Sequence, residues 1–128
     1  MLVRPKSVYR VIREEDWEKT QAGQYVPLGD VDERDGFVHL STMDTVLETA
    51  DLYFKATQAP LVLEVDVEVL GEALKWEAVA SRGGMLFPHL YAPGIPKSAL
   101  IAVVALEAGP DGFGLGERTQ LTPVVNKI

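Results

Sequence analysis

The segment 60–70, PLVLEVDVEVL, alternates apolar and polar side chains with a period of two. Leu61, Leu63, Val65, Val67 and Val69 fall on one side; Val62, Glu64, Asp66 and Glu68 fall on the other. That pattern predicts a strand wetted on one face and paired antiparallel. Residues 99–106, ALIAVVAL, are apolar without a break and predict a central strand. SVYRVI at 7–12, rich in β-branched and aromatic residues, predicts a first strand. REEDWEKTQAG follows as a short helix, its acidic first turn suited to the helix dipole and Gly23 placed to stop it.

Residues 24–36, QYVPLGDVDERDG, carry turn formers and read as a loop, and GFVHLST at 36–42 reads as a second strand. STMDTVLETADLYFK predicts the clearest helix. Ser41 or Thr42 can cap it, and Met43, Val46, Leu47, Ala50, Tyr53 and Phe54 share one face. LKWEAVASRGG reads as irregular, and MLFPHLYAPGIP as an apolar segment broken by prolines. From Glu107 the chain turns glycine-rich, which predicts a surface tail or arm over 107–128, with LTPVV free to pair as an edge strand or cross to a partner. The expectation is one α+β domain over 1–106 with a mixed, mostly antiparallel sheet and two N-terminal helices.

Composition narrows the function. The 128 residues are 47% hydrophobic and 24% charged, as in a soluble globular domain. No apolar run approaches a membrane span and no secretory signal opens the chain, so a cytoplasmic protein without a membrane partner is expected. With no cysteine, disulfides and thiolate zinc sites are excluded. Twelve basic against 19 acidic residues give a net charge of −7, which argues against a nucleic-acid partner but leaves a small anion open. Oligomeric state is not readable.

Candidate chemistry centres on two histidines, both framed by large apolar residues. In a strand, Phe37, His39 and Ser41 point together, and a helix N-terminus with free N–H groups follows. An imidazole, hydroxyls at Ser41 and Thr42 and helix-end amides can hold an anion or a ribose. His89 follows Pro88, which stiffens the segment, and Gly83-Gly84 allow close backbone approach, with Arg82 beside them as a planar fork for a phosphate or carboxylate. For each histidine the alternative stays open: a core imidazole satisfied locally. Arg10 lies on the side of Val8 and Ile12, where most arginines pair with a carboxylate or lie at an edge. Glu77 beside Trp76 is a candidate acid. The chain has no GxSxG, P-loop, GxGxxG or HExxH motif, and a two-histidine metal site would use every imidazole present, so no metal is expected.

YRVI, DWEKTQAGQYVP, GFVHLST, LKWE, RGG and FPHLYAP together resemble the bacterial domain of unknown function 952, from about Val8 to Leu106. The resemblance implies an ADP-ribosyltransferase-like fold, a group whose members bind NAD in the cleft of a split, mostly antiparallel sheet. It implies NAD or another nucleotide as the ligand to expect. It places Arg10, His39, Ser41 and Arg82 on sugar and phosphate, and Trp76, Phe87 and Tyr91 as aromatic walls. His89 would share the cleft with His39, and Glu77 is the candidate catalytic carboxylate beside His39. The rival reading is a non-catalytic interaction module with structural histidines.

Overall fold

The computed structural model describes residues 5–121. β1 (Ser7–Ile12) opens it, with Val8 and Ile12 buried on one side. α1 (Glu14–Thr20) follows, its first turn acidic and Thr20 buried. The predicted loop 24–36 is not one. It contains β2 (Tyr25–Val26) and α2 (Asp30–Asp35), ended by Gly36 at φ 83°, a left-handed conformation that costs glycine least. Among the described residues the N-terminal half thus holds three α-helices rather than two. The expected strand 36–42 shrinks to β3 (Val38–His39), followed by a single bridge from Ser41 to Tyr9. α3 (Val46–Tyr53) starts later than its capping signals predict, because Thr42 and Thr45 first close a hydrogen-bonded turn. Val46 and Ala50 are buried, while Met43 and Tyr53 are exposed.

β4 (Leu61–Asp66) keeps the alternation only to Asp66, whose carboxylate accepts from the N–H of Glu68 and starts the single turn α4 (Val67–Leu70). Val67 and Val69 therefore leave the strand. Val62, expected on the wet face, is buried beneath α3 with Val11, Val46 and Val104. The segment predicted as irregular forms β5 (Leu74–Val79), and the proline-broken segment forms β6 (Met85–Leu90) and β7 (Ile95–Pro96). β8 (Leu100–Gly109) passes beyond Glu107, where a tail was expected, and turns back as β9 (Gly112–Gln120). Of LTPVV, all but Leu121 lies outside the described residues.

The fold is α+β, and every strand pair among the described residues is antiparallel. One sheet has the order β1-β4-β8-β9, a second β3-β6-β5, and β2 pairs with β7. β8 is internal, as the unbroken apolar run requires. The main core lies between the two larger sheets. Val8, Leu63 and Val65 from one meet Val38, Leu40 and Leu90 from the other, with Trp76 packed against them. Burying such aliphatic side chains stabilises by about 1.5–3 kcal/mol each. One face of the three-stranded sheet is consumed by this packing, which leaves the opposite face for chemistry. No helix among the described residues is long and apolar enough to cross a membrane.

Candidate functional site

Register decides which side chains share the outer face. His39 is the cross-strand partner of His89, Lys75 pairs with His89 on the other side, and Glu77 pairs with Phe87. Cross-strand partners project to the same side of a sheet. Val38, Leu90, Pro88 and Trp76 point to the core side; His39, His89, Phe87, Glu77 and Lys75 point away from it. The two imidazole centroids stand 5.6 Å apart. Phe37 stacks on His89 at 4.1 Å, leans on His39 at 4.6 Å and meets Tyr91 at 5.3 Å.

Each imidazole is held by a carboxylate on Nδ1. His39 Nδ1 lies 2.7 Å from Asp32 Oδ1, and His89 Nδ1 lies 2.8 Å from Glu77 Oε1. An ionised carboxylate only accepts, so each ring carries its proton at Nδ1. The surroundings keep both acids ionised. Burial opposes charge on Asp32, whose side chain is 2% exposed, but hydrogen bonds from His39, the Arg10 guanidinium and the Gly29 N–H outweigh it and hold the carboxyl far below its usual range. Hydrogen bonds from Tyr91, at 2.7 Å, and from His89 hold Glu77 below its usual range, and the same contact raises the Tyr91 phenol.

At Nε2 the rings differ. His39 Nε2 lies 2.9 Å from Asp35 Oδ2, and Asp35 is held ionised by Arg34 first and His39 second. His39 thus faces a carboxylate oxygen at each ring nitrogen. His89 Nε2 has no hydrogen bond among the described residues. His39 is 33% exposed at its side chain, whereas His89 is 5% exposed as a residue and is stacked against Phe37.

The remaining candidates divide. Arg10 is not on the outer face. From β1 it forks onto Asp32, with Nη1 3.2 Å from Oδ1 and Nη2 on Oδ2, and also donates from Nη1 to the His39 carbonyl at 2.8 Å. Its guanidinium is engaged by Asp32 and the His39 carbonyl, with the side chain 13% exposed. Ser41 is buried on Thr49 at 2.9 Å, and Thr42 is turned onto Thr45. Trp76 faces the core. Arg82 is anchored on Glu48 and Thr49 with its guanidinium carbon 4.5 Å over the Phe87 ring. An open depression of about 360 Å³ borders Phe37 and Asp32 and is otherwise lined by Leu28, Glu33, Gly36 and Ala92; neither imidazole lines it. The structure therefore gathers His39, His89, Glu77, Tyr91 and Phe87 with Lys75, and leaves Arg10, Ser41, Thr42 and Trp76 outside that group.

Sequence reasoning missed Asp32, Asp35 and Phe37. The local signal for Asp32 was present: three residues after Gly29, its carboxylate accepts the Gly29 N–H at 2.8 Å, half of a capping box, and Gly36 supplies the left-handed stop.

The fold and this face define an antiparallel α+β protein with two carboxylate-held histidines side by side on the side of a sheet turned away from the main core. The chain belongs to the family described as Protein of unknown function (DUF952), whose model matches residues 11–103. It is similar to the protein CC0527 from Caulobacter crescentus: to its crystal structure with 37% identity and a TM-score of 0.74, covering 83% of this chain and 90% of that one. The solution NMR structure of CC0527 gives 37% identity and a TM-score of 0.70, covering 85% of this chain and 91% of that one. No curated protein matches.

Proposed function

We propose that the outer face of the three-stranded sheet binds a small nucleotide- or NAD-like ligand. The observation that carries this reading is the pairing of His39 with His89, rings 5.6 Å apart, on a face that also presents Glu77, Tyr91 and Lys75. The His89 Nε2, without a protein partner among the described residues, can hydrogen-bond a ribose hydroxyl, the rings of Phe37 and Tyr91 offer apolar surface to a base, and Lys75 stands exposed for a phosphate. An ADP-ribosyltransferase-like fold belongs to this reading; what supports it is the separation of the antiparallel strands into two larger sheets. Catalysis of ADP-ribosyl transfer would fall to Glu77, which lies on the same face, half exposed and ionised. NAD titrated into isotope-labelled protein tests the proposal. Shifts at both imidazoles are expected, and unmoved rings up to millimolar NAD would reject it.

A second reading, a non-catalytic interaction module, is favoured by one observation: His39 is tied to Asp32, Asp35 and Phe37 at once, as a structural strut would be. His39→Gln that costs about 1–2 kcal/mol of stability and leaves every ligand titration unchanged would decide for it.

A further inference from the structure

His39 and His89 form two carboxylate–imidazole pairs of the same build on neighbouring strands, and the two rings differ at Nε2. His39 faces Asp35 there at 2.9 Å, and His89 faces no hydrogen-bond partner among the described residues, so a proton held at the first and received at the second would make an acid and a base of the pair. A base and an acid within one ligand's span is what displacement at an ester requires: one proton leaves the attacking oxygen and another reaches the departing oxygen. Resting on the ligand reading above, we propose that this face hydrolyses a phosphate diester of a nucleotide, with His89 as general base and His39 as general acid.

In the step, a water oxygen bonds to phosphorus while its proton passes to Nε2 of His89. The ester P–O bond breaks, and the departing oxygen takes the proton from Nε2 of His39, which lets go of Asp35. The products are a phosphate monoester and an alcohol. A proton returned from His89 to His39 through solvent resets the pair, and no redox partner is involved. The leaving group sets the substrate class. An alkoxide needs a proton to depart, whereas nicotinamide leaves ribose as a neutral base and gives an imidazolium acid nothing to do. Positive charge facing a phosphate comes from His39 and from Lys75, the exposed cross-strand neighbour of His89. Arg10 and Arg82 are engaged with Asp32 and Glu48.

The groups that set the proton states are Asp32 and Asp35 of α2, Arg10 of β1 and His89 around His39, and Glu77 and Lys75 of β5, Tyr91 and His39 around His89. Asp32 and Glu77 act as positioning residues, fixing each ring through Nδ1.

The experiment uses the full chain with 2′,3′-cyclic AMP as the probe, in the presence of a chelator, with product followed by ³¹P NMR. Conversion to AMP is expected, with a rate that rises and then falls with pH. His89→Gln and His39→Gln should each lower it by about 10²-fold or more. Ring ¹⁵N spectra of the unmodified protein at neutral pH should show His39 protonated on both nitrogens and His89 on Nδ1 alone. Equal proton states at the two rings overturn the proposal, whatever the variants do. 2′,3′-Cyclic AMP or NAD that shifts both imidazoles without hydrolysis overturns the catalysis and leaves the binding reading standing. No shift with either probe overturns both.

Discussion

Arg10 and Asp32, 22 residues apart, form a forked ion pair in the interior, with the arginine side chain 13% exposed and the aspartate 2%. This pair joins β1 to α2, and through the further bond from Arg10 to the His39 carbonyl it fixes the strand that carries the first imidazole. Breaking one partner strands the other charge in the core. Arg10→Met should cost about 3–5 kcal/mol of stability, read from urea unfolding, and should release His39 from its fixed position. A loss below 1 kcal/mol would mean that the pair is not the clamp on α2.

The acid limb of stability follows from the same carboxylate. Asp32 is far more acidic when folded than the value near 3.9 expected of an unfolded aspartate. A depressed folded value contributes stability in full above the unfolded value, and that contribution drains away as pH falls below it, because the unfolded chain takes up a proton that the folded chain refuses. Glu77 acts with the same sign. The urea midpoint should therefore fall steeply below about pH 4. Asp32→Asn, less stable at neutral pH, should lose much of that steepness.

Phe37 covers His89 at 4.1 Å and is half-buried. Phe37→Ala should cost about 1 kcal/mol, less than a fully buried aromatic side chain, and should open the ring of His89. Carbethoxylation of His89, followed by mass spectrometry, should then accelerate severalfold. An unchanged rate would show that another group shields the ring.

At the β8–β9 turn Gly112 adopts φ 124°, and a Cβ there would stand 2.7 Å from the Asp51 carboxylate, which itself accepts the Phe113 N–H at 2.8 Å. Gly112→Ala should lower stability by about 1–3 kcal/mol through backbone strain. In an Asp51→Ala background, which removes the clash and leaves the strain, the loss should shrink but persist. The two melting temperatures measure the difference.

Much of the four-stranded sheet was legible because burial there writes a pattern. β1, β4 to Asp66 and the internal β8 follow from β-branched runs and alternation. The site was harder to read. α2 is DVDERD, whose one aliphatic residue, Val31, is exposed, so no hydrophobic periodicity marks it; hydrogen bonds to Asp32 hold it instead. β6 contains Pro88 in the middle strand of its sheet, a residue that local rules assign to edges; its carbonyl accepts from the Leu40 N–H at 3.1 Å. β9 is spaced by glycines, which read as a flexible tail until β8 is there to pair with them. The two histidines drew notice from their apolar framing. Their partnership depends on register between remote segments, and no local window contains it.

That remote register has a kinetic consequence. The strand order β1-β4-β8-β9 and the meeting of β3 with β6 leave few native contacts that a growing chain can make early. Topologies dominated by such distant closures fold in roughly milliseconds to seconds rather than microseconds. Until β6 has emerged and docked, Phe37 has no second imidazole to lie against. The stacking of those two rings is therefore a late event on the path to the native state, and a spectroscopic probe at His89 would time the completion of assembly.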